Sequence, residues 1–331
     1  MRSAAHYVTL TLLLLVPCAA VQGLVVIDEG ESTTNPGSTA FGEDPGWANA
    51  AFAGGSKTAV YLGDGWVLTV AHGGGVQDVT FQDYPSPVSM STSVESFKAV
   101  AATACRINNP VGVEGLESTP TDLLMYQVTS DGTVDGTQPV NLPGVSLSST
   151  APAVGAQVVM IGRGRVKNGA TTYTDPDTGT THNGFTTTTG VMSWGTNNVV
   201  SADPQNVGAG DVKSLATVFD YVAPGSSTPP SYEAQAQTSD SGSPVFSKIS
   251  GSWKLVGITY AVGGYTGQSA GSTAINGNST FFADLAFTSY HDQIGSAMAG
   301  TCASAVPEPS SALVLGLLAF AFGVRKRLQG S

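Results

Sequence analysis

Basic residues are scarce in this chain: 13 lysines and arginines stand against 24 aspartates and glutamates in 331 residues. The net charge of −11 therefore comes from missing cations rather than from acidic blocks. No basic stripe could neutralise a phosphate backbone, which argues against nucleic acid as a partner. Cysteine is nearly absent, at three residues, and histidine numbers four. With no histidine pair at ligand spacing and no cysteine cluster, neither a metal nor an organic cofactor is implied. Long helical periodicity is also missing. What is abundant is Gly (41) and Pro (18), with only 11% charged residues and 41% hydrophobic ones. Thr, Ser and Val set among so many turn formers suit short strands joined by turns, and the composition reads as all-β. The apolar content suffices for a real core, and the length for about two domains.

Both ends read as address labels. Residues 1–23, MRSAAHYVTLTLLLLVPCAAVQG, place Arg2 ahead of an apolar run from Val8 to Val16 and then small residues, the layout of a secretory signal peptide cut after Ala20 or Gly23. Cys18 leaves with it, so the mature chain keeps Cys105 and Cys302. Export makes a disulfide between them chemically open, and two separate buried thiols equally so. Residues 304–331 end the chain with Pro307-Glu308-Pro309, an apolar segment from Ala312 to Val324, and the basic cluster Arg325-Lys326-Arg327. That apolar segment is shorter than the roughly 20 residues of a full membrane span, and its basic end would stop on the cytoplasmic side. The order resembles the bacterial PEP-CTERM sorting tail. The resemblance implies transient inner-membrane contact through the tail, removal by an exosortase, and delivery of the body, already handled by signal peptidase, to the exterior or cell surface. An ordinary C-terminal anchor would also leave the body outside the cytoplasm.

Between the labels, residues 24–47 are turn-rich and read as an arm wrapping the domain. TAVYLGDGWVLTVAH reads as a hairpin, Thr58–Leu62 and Trp66–Val70 around Gly63-Asp64-Gly65. Further strands are expected at Asp78–Phe81, Ser96–Ala101, Leu123–Val128, Gln157–Ile161, Thr186–Ser193 and Ser214–Val222, with a second hairpin of Pro244–Ser247 and Trp253–Tyr260. The Pro-rich stretch 143–155 reads as a linker, and 163–184 as an exposed loop or long hairpin. Near the end, Ser289 and Asp292 stand at capping-box spacing, and Tyr290, Ile294 and Met298 recur every four residues, which predicts a short helix.

The stretch QTSDSGSPVF sets Ser241 between Asp240 and Gly242. A serine nucleophile needs a base, a carboxylate to orient that base, and donors for the developing oxyanion. Histidine is the natural base near neutral pH. His6 leaves with the signal, His182 sits in the polar loop 163–184, and His291 lies on the terminal helix, which leaves His72 at the end of the strand GWVLTVAH. A structural histidine remains the alternative for His72 alone, and a strand-initiating turn residue for Asp122 alone. Leu123 and Leu124 directly after Asp122 imply burial, which an aspartate tolerates only when hydrogen-bonded or paired.

GWVLTVAH, TDLLMYQV and SDSGSPVF are similar, in that order, to the histidine, aspartate and serine motifs of the chymotrypsin/trypsin-like serine proteases, and the resemblance runs from about Thr58 to Ala299. It implies two packed antiparallel six-stranded β-barrels with a short C-terminal helix, the first within 24–150 and the second within 151–303. It also implies a secreted endopeptidase acting on polypeptides, with His72 as general base, Asp122 as its orienting carboxylate, Ser241 as nucleophile, and the backbone N–H groups of Ser239 and Ser241 as oxyanion hole. Ser239 stands where the family commonly has glycine, and Ser243 where it has a second one. Gly73 replaces the cysteine that usually follows the histidine, so the disulfide found there cannot form. Gln235 would fall near the floor of the specificity pocket, with Tyr260 and Val262 on its wall. An acidic floor residue is what Lys or Arg specificity would want, so a neutral or apolar side chain is expected instead. Two rival readings share the composition: a catalytically inactive homologue serving as an exported surface binding protein, and an unrelated β-sandwich adhesin, which predicts no clustering of His72, Asp122 and Ser241.

Overall fold

The computed structural model describes residues 24–27, 33–39, 41–85, 92–116, 120–139, 141–202, 205–206, 211–220, 232–269 and 272–302. The expected signal peptide and sorting tail lie outside them. Among the described residues no helix is long and apolar enough to cross a membrane.

Twelve strands close into two antiparallel six-stranded barrels. The first runs, in order of pairing, Ala50–Ala53, Lys57–Gly63, Trp66–Val70, Leu123–Thr129, Thr92–Arg106 and Val79–Pro85. The second runs Ser193–Ser201, Ser214–Val218, Ser279–Asp284, Ser252–Gly263, Pro244–Ile249 and Gln157–Gly162. The expected hairpins form where turn residues permit positive φ: Gly63, Asp64 and Gly65 at 113°, 49° and 77°, and Ser250 and Gly251 at 52° and 82°. The tight reversal then fixes register, with Val60 opposite Leu68 in the first hairpin.

Several elements differ from expectation for identifiable reasons. The strand expected at Ser96–Ala101 extends over Thr92–Arg106, because an irregularity between Val100 and Cys105 lets it turn the barrel corner and keep pairing. Thr186–Ser193 straddles two strands, Thr181–Thr189 and Ser193–Ser201, parted at Gly190. Residues 165–189 form a long hairpin, to which Thr273–Ile275 adds a third strand. The start of the arm is itself a strand, Val25–Val26, paired with Ala234–Gln235 and fully buried.

The core is continuous across the two barrels. Leu68, Val70, Leu123 and Met125 of the first pack in one cluster with Val159, Ile161, Phe246 and Ile258 of the second. Each such side chain contributes about 1.5–3 kcal/mol on burial. A second cluster fills the first barrel, where Tyr61, Phe81, Tyr84 and Phe97 meet edge to face or tilted. The C-terminal helix, Thr288–Met298, joins the shared cluster through Tyr290, Ile294 and Ala297. Its N-cap is Phe287, without a side-chain cap. Ser289 thus falls inside the first turn, where its hydroxyl accepts from Gln293 Nε2 at 3.1 Å rather than capping the helix. The two cysteines close a disulfide, Cys105 to Cys302, between the first barrel and the segment just past this helix.

Candidate active site

Strand pairing brings the histidine and the aspartate together. Val70 lies opposite Leu123 in the ladder of neighbouring strands. His72, two residues beyond one strand, and Asp122, one residue before the other, therefore emerge at the same barrel edge. Ala71 N–H donates to Asp122 O at 2.7 Å, and His72 N–H to Asp122 Oδ1 at 3.0 Å. Asp122 is 1% exposed. Its second oxygen, Oδ2, meets His72 Nδ1 at 2.5 Å. A carboxylate can only accept, so Nδ1 carries the proton and the lone pair of Nε2 is left facing outward. That lone pair meets Ser241 Oγ at 2.7 Å.

Ser241 arrives from the second barrel, just ahead of the strand Pro244–Ile249, and is tied to the first. Its carbonyl accepts from Thr58 N–H at 2.8 Å. The next residue, Gly242, sits at φ 88° so close to the opposite barrel that a Cβ there would be 1.9 Å from Thr58 O and 2.4 Å from Thr69 Oγ1. Only glycine fits both the conformation and the space. The turn is closed by Asp240 N–H to Gln237 O at 3.0 Å and Ser243 N–H to Asp240 O at 2.8 Å. Ser239, within it, adopts φ 80°. Among the described residues, neither the N–H of Ser239 nor that of Ser241 donates to a protein acceptor.

Asp240 points away from the cleft into a fully buried cage. Its carboxylate accepts from Gly164 N–H at 2.5 Å and Gln237 N–H at 2.7 Å, and from Arg163 N–H. Burial raises its pKa to about 7, against the pull of these three donors. A Cβ on Gly162 or Gly164 would come within 2.2 or 2.4 Å of the carboxylate oxygens, so both glycines are needed for the turn to approach it. Three backbone donors, from Arg163, Gly164 and Gln237, thus occupy the Asp240 carboxylate.

A cleft of about 310 Å³ opens beside Ser241. Gln237, Thr238 and Ser239 line one side, and Thr259 to Val262 line the other. Tyr260 is held by its hydroxyl, 2.6 Å from Ser214 Oγ, and burial raises its pKa to about 12. The ladder joining this strand to Pro244–Ile249 ends at Ile258, which leaves the segment from Tyr260 onward running along the cleft. Gln235 is 1% exposed, pairs with Val25, and places Nε2 at 3.4 Å from Asn278 Oδ1. Gln237, two residues on, is the glutamine that lines the cleft, and no carboxylate does so among the described residues. His182 lies elsewhere, stacked on Tyr265 with ring centroids 4.3 Å apart. No group of three His, Cys, Asp or Glu among the described residues could hold a metal ion.

Sequence reasoning passed over Lys57, Gln237 and the Gly162-Arg163-Gly164 cage. The short run GRG after an apolar strand was the one available signal for the cage. No protein-family model matches this chain, and no curated protein matches it.

Proposed function

We propose that the protein is an exported serine endopeptidase that hydrolyses polypeptides through an acyl-enzyme. The observation that carries this reading is the single line of hydrogen bonds from Asp122 through His72 to Ser241, at 2.5 and 2.7 Å. His72 Nε2 takes the Ser241 proton as Oγ attacks the scissile carbonyl, while Asp122 fixes the ring tautomer and stabilises the imidazolium. The N–H groups of Ser239 and Ser241 receive the oxyanion, and Ser239 at φ 80° supports this by taking the backbone conformation that glycine usually supplies. His72 then returns the proton to the leaving amine, and water, activated by the same ring, releases the acyl group. The peptide lies extended along Tyr260 to Val262 as an added strand. Its preferred side chain is neutral or apolar, since among the described residues no carboxylate lines the cleft to pair a Lys or Arg.

The test is to treat the purified protein with a fluorophosphonate probe and a peptide library. Labelling of Ser241 and cleavage of peptides are expected, with both abolished in Ser241→Ala. A folded wild type showing neither would leave an exported binding protein on the same scaffold and end the enzyme reading. The peptides cut would also report the side-chain preference, and strong cleavage after Lys or Arg would contradict the specificity argued here.

A further inference from the structure

Lysine is poorly suited to a protein interior, because a buried ammonium loses its hydration. Lys57 is nonetheless 2% exposed. It opens the strand Lys57–Gly63 beneath the loop that carries His72, and a Cβ placed on Gly73 would lie 3.9 Å from Lys57 Cδ. Its Nζ donates to Val70 O at 2.9 Å and to Gly75 O at 2.6 Å. One side chain therefore joins two carbonyls on either side of His72. Ser56 Oγ and Gln77 Nε2 both donate to Gly73 O, each at 3.2 Å.

The loop needs such donors. Gly73, Gly74 and Gly75 all have positive φ and no side chains to pack, so hydrogen bonds hold this backbone: Ala71 and His72 N–H anchor its start on Asp122, Gly75 N–H returns to Ala71 O at 3.1 Å, and Lys57 ties Val70 to Gly75 from below. The charge on Asp122 favours the ammonium form of Lys57, while burial, the larger effect, lowers its pKa to about 8. A hydroxyl or amide on a shorter stem would not reach both carbonyls, whereas the four-carbon stem of lysine does.

We propose that Lys57 is a positioning residue for His72: its amine staples the loop from Val70 to Gly75 and so holds the imidazole in line between Asp122 and Ser241. The effect on rate rests on the endopeptidase reading. The effect on the His72–Asp122 hydrogen bond does not.

Two readouts test it in wild type, Lys57→Met and Lys57→Arg. The first is the low-field proton resonance of the Nδ1–H shared by His72 and Asp122, and the second is the rate of Ser241 labelling by a fluorophosphonate. Lys57→Met should lose the resonance and label about 10- to 100-fold more slowly, the scale expected of a misplaced catalytic group. For peptides, kcat should fall more than KM. Lys57→Arg, which keeps charge and donors, should retain the resonance and recover part of the rate. A folded Lys57→Met with the wild-type resonance and labelling rate would overturn the proposal. If Lys57→Met does not fold, Lys57→Gln takes its place, with the same direction expected; failure of both to fold would make Lys57 a core strut and overturn it too. A wild type that resists the probe would refute the endopeptidase reading alone, since the resonance comparison still decides the role of Lys57.

Discussion

Ser239 carries a backbone conformation that L residues avoid, at a cost of about 1–2 kcal/mol. Its φ of 80° persists because both barrels hold the turn. Thr58 contributes twice, with its N–H on Ser241 O at 2.8 Å and its hydroxyl 3.4 Å from Ser239 O. None of these contacts uses the serine side chain. Ser239→Gly should therefore relieve the local cost, offset in part by the greater freedom of glycine in the unfolded chain. A gain of about 1 kcal/mol in denaturant unfolding is expected, with the Ser241 labelling rate within about twofold of wild type. A loss of stability would show that the hydroxyl itself holds the turn. The convergence of His72, Asp122 and Ser241 could be anticipated because each stands in an oriented run, at a strand end or in a tight turn. Lys57 could not, since a lysine at the start of a strand reads as a solvated charge until the carbonyls above it are known. The donors around Asp240 were equally hidden, because main-chain N–H groups leave no side-chain signature.

At the scale of elements, the turn after the strand Gln157–Gly162 acts as a receptor for the loop that carries Ser241, presenting the N–H groups of Arg163 and Gly164 to the buried Asp240 carboxylate. The pKa of about 7 in the folded chain, against 3.8 ordinarily, has a definite consequence for stability. Below about pH 4 both folded and unfolded chains hold this proton. From about pH 4 to about pH 7 the unfolded chain releases it first, binds fewer protons, and gains relative to the folded state. The contribution of Asp240 to stability thus falls as pH rises through that window and is level above it. Comparison with Asp240→Asn isolates it, because other groups, including Glu233, which burial also raises to about 7, cancel in the difference. The melting temperature of wild type minus that of Asp240→Asn should decline from about pH 4 to about pH 7, and a constant difference would refute the assignment. Hairpins with Gly at their turns were readable from sequence, since turn geometry there is local. The break at Gly190 and the merging of Thr92–Arg106 were not, because barrel closure decides where pairing stops.

Across the whole molecule, the C-terminal helix and the disulfide fasten the barrels to each other. Tyr290 Oη donates to Asn109 Oδ1 at 2.5 Å and accepts from Lys213 N–H at 2.9 Å. Gln293 brackets the Asn108 backbone, accepting from its N–H and donating to its carbonyl, both at 2.9 Å. One helix face therefore binds the segment after the first barrel's longest strand and the segment before Ser214–Val218 of the second. Spacing alone left the two cysteines open between a bridge and separate thiols, because a separation of 197 residues says nothing about proximity until the helix is docked. Once it docks, Cys302 is delivered to the end of the strand holding Cys105, at a Cα separation of 5.8 Å that suits a disulfide. Closing so long a loop removes unfolded-state entropy worth about 5 kcal/mol in the chain-entropy model, and measured bridges usually stabilise by about 2–4 kcal/mol. Replacing both residues, Cys105→Ala with Cys302→Ala, should thus lower the melting temperature by about 5–15 °C for a chain of this size. The low-field His72 resonance should survive at temperatures where the variant is folded, because the bridge lies outside the strands that set His72 against Asp122. Alkylation under non-reducing conditions checks the premise: the wild type should take up no label at either cysteine, and a melting temperature unchanged in the double variant would show that the bridge adds nothing to the connection made by the helix and the shared core.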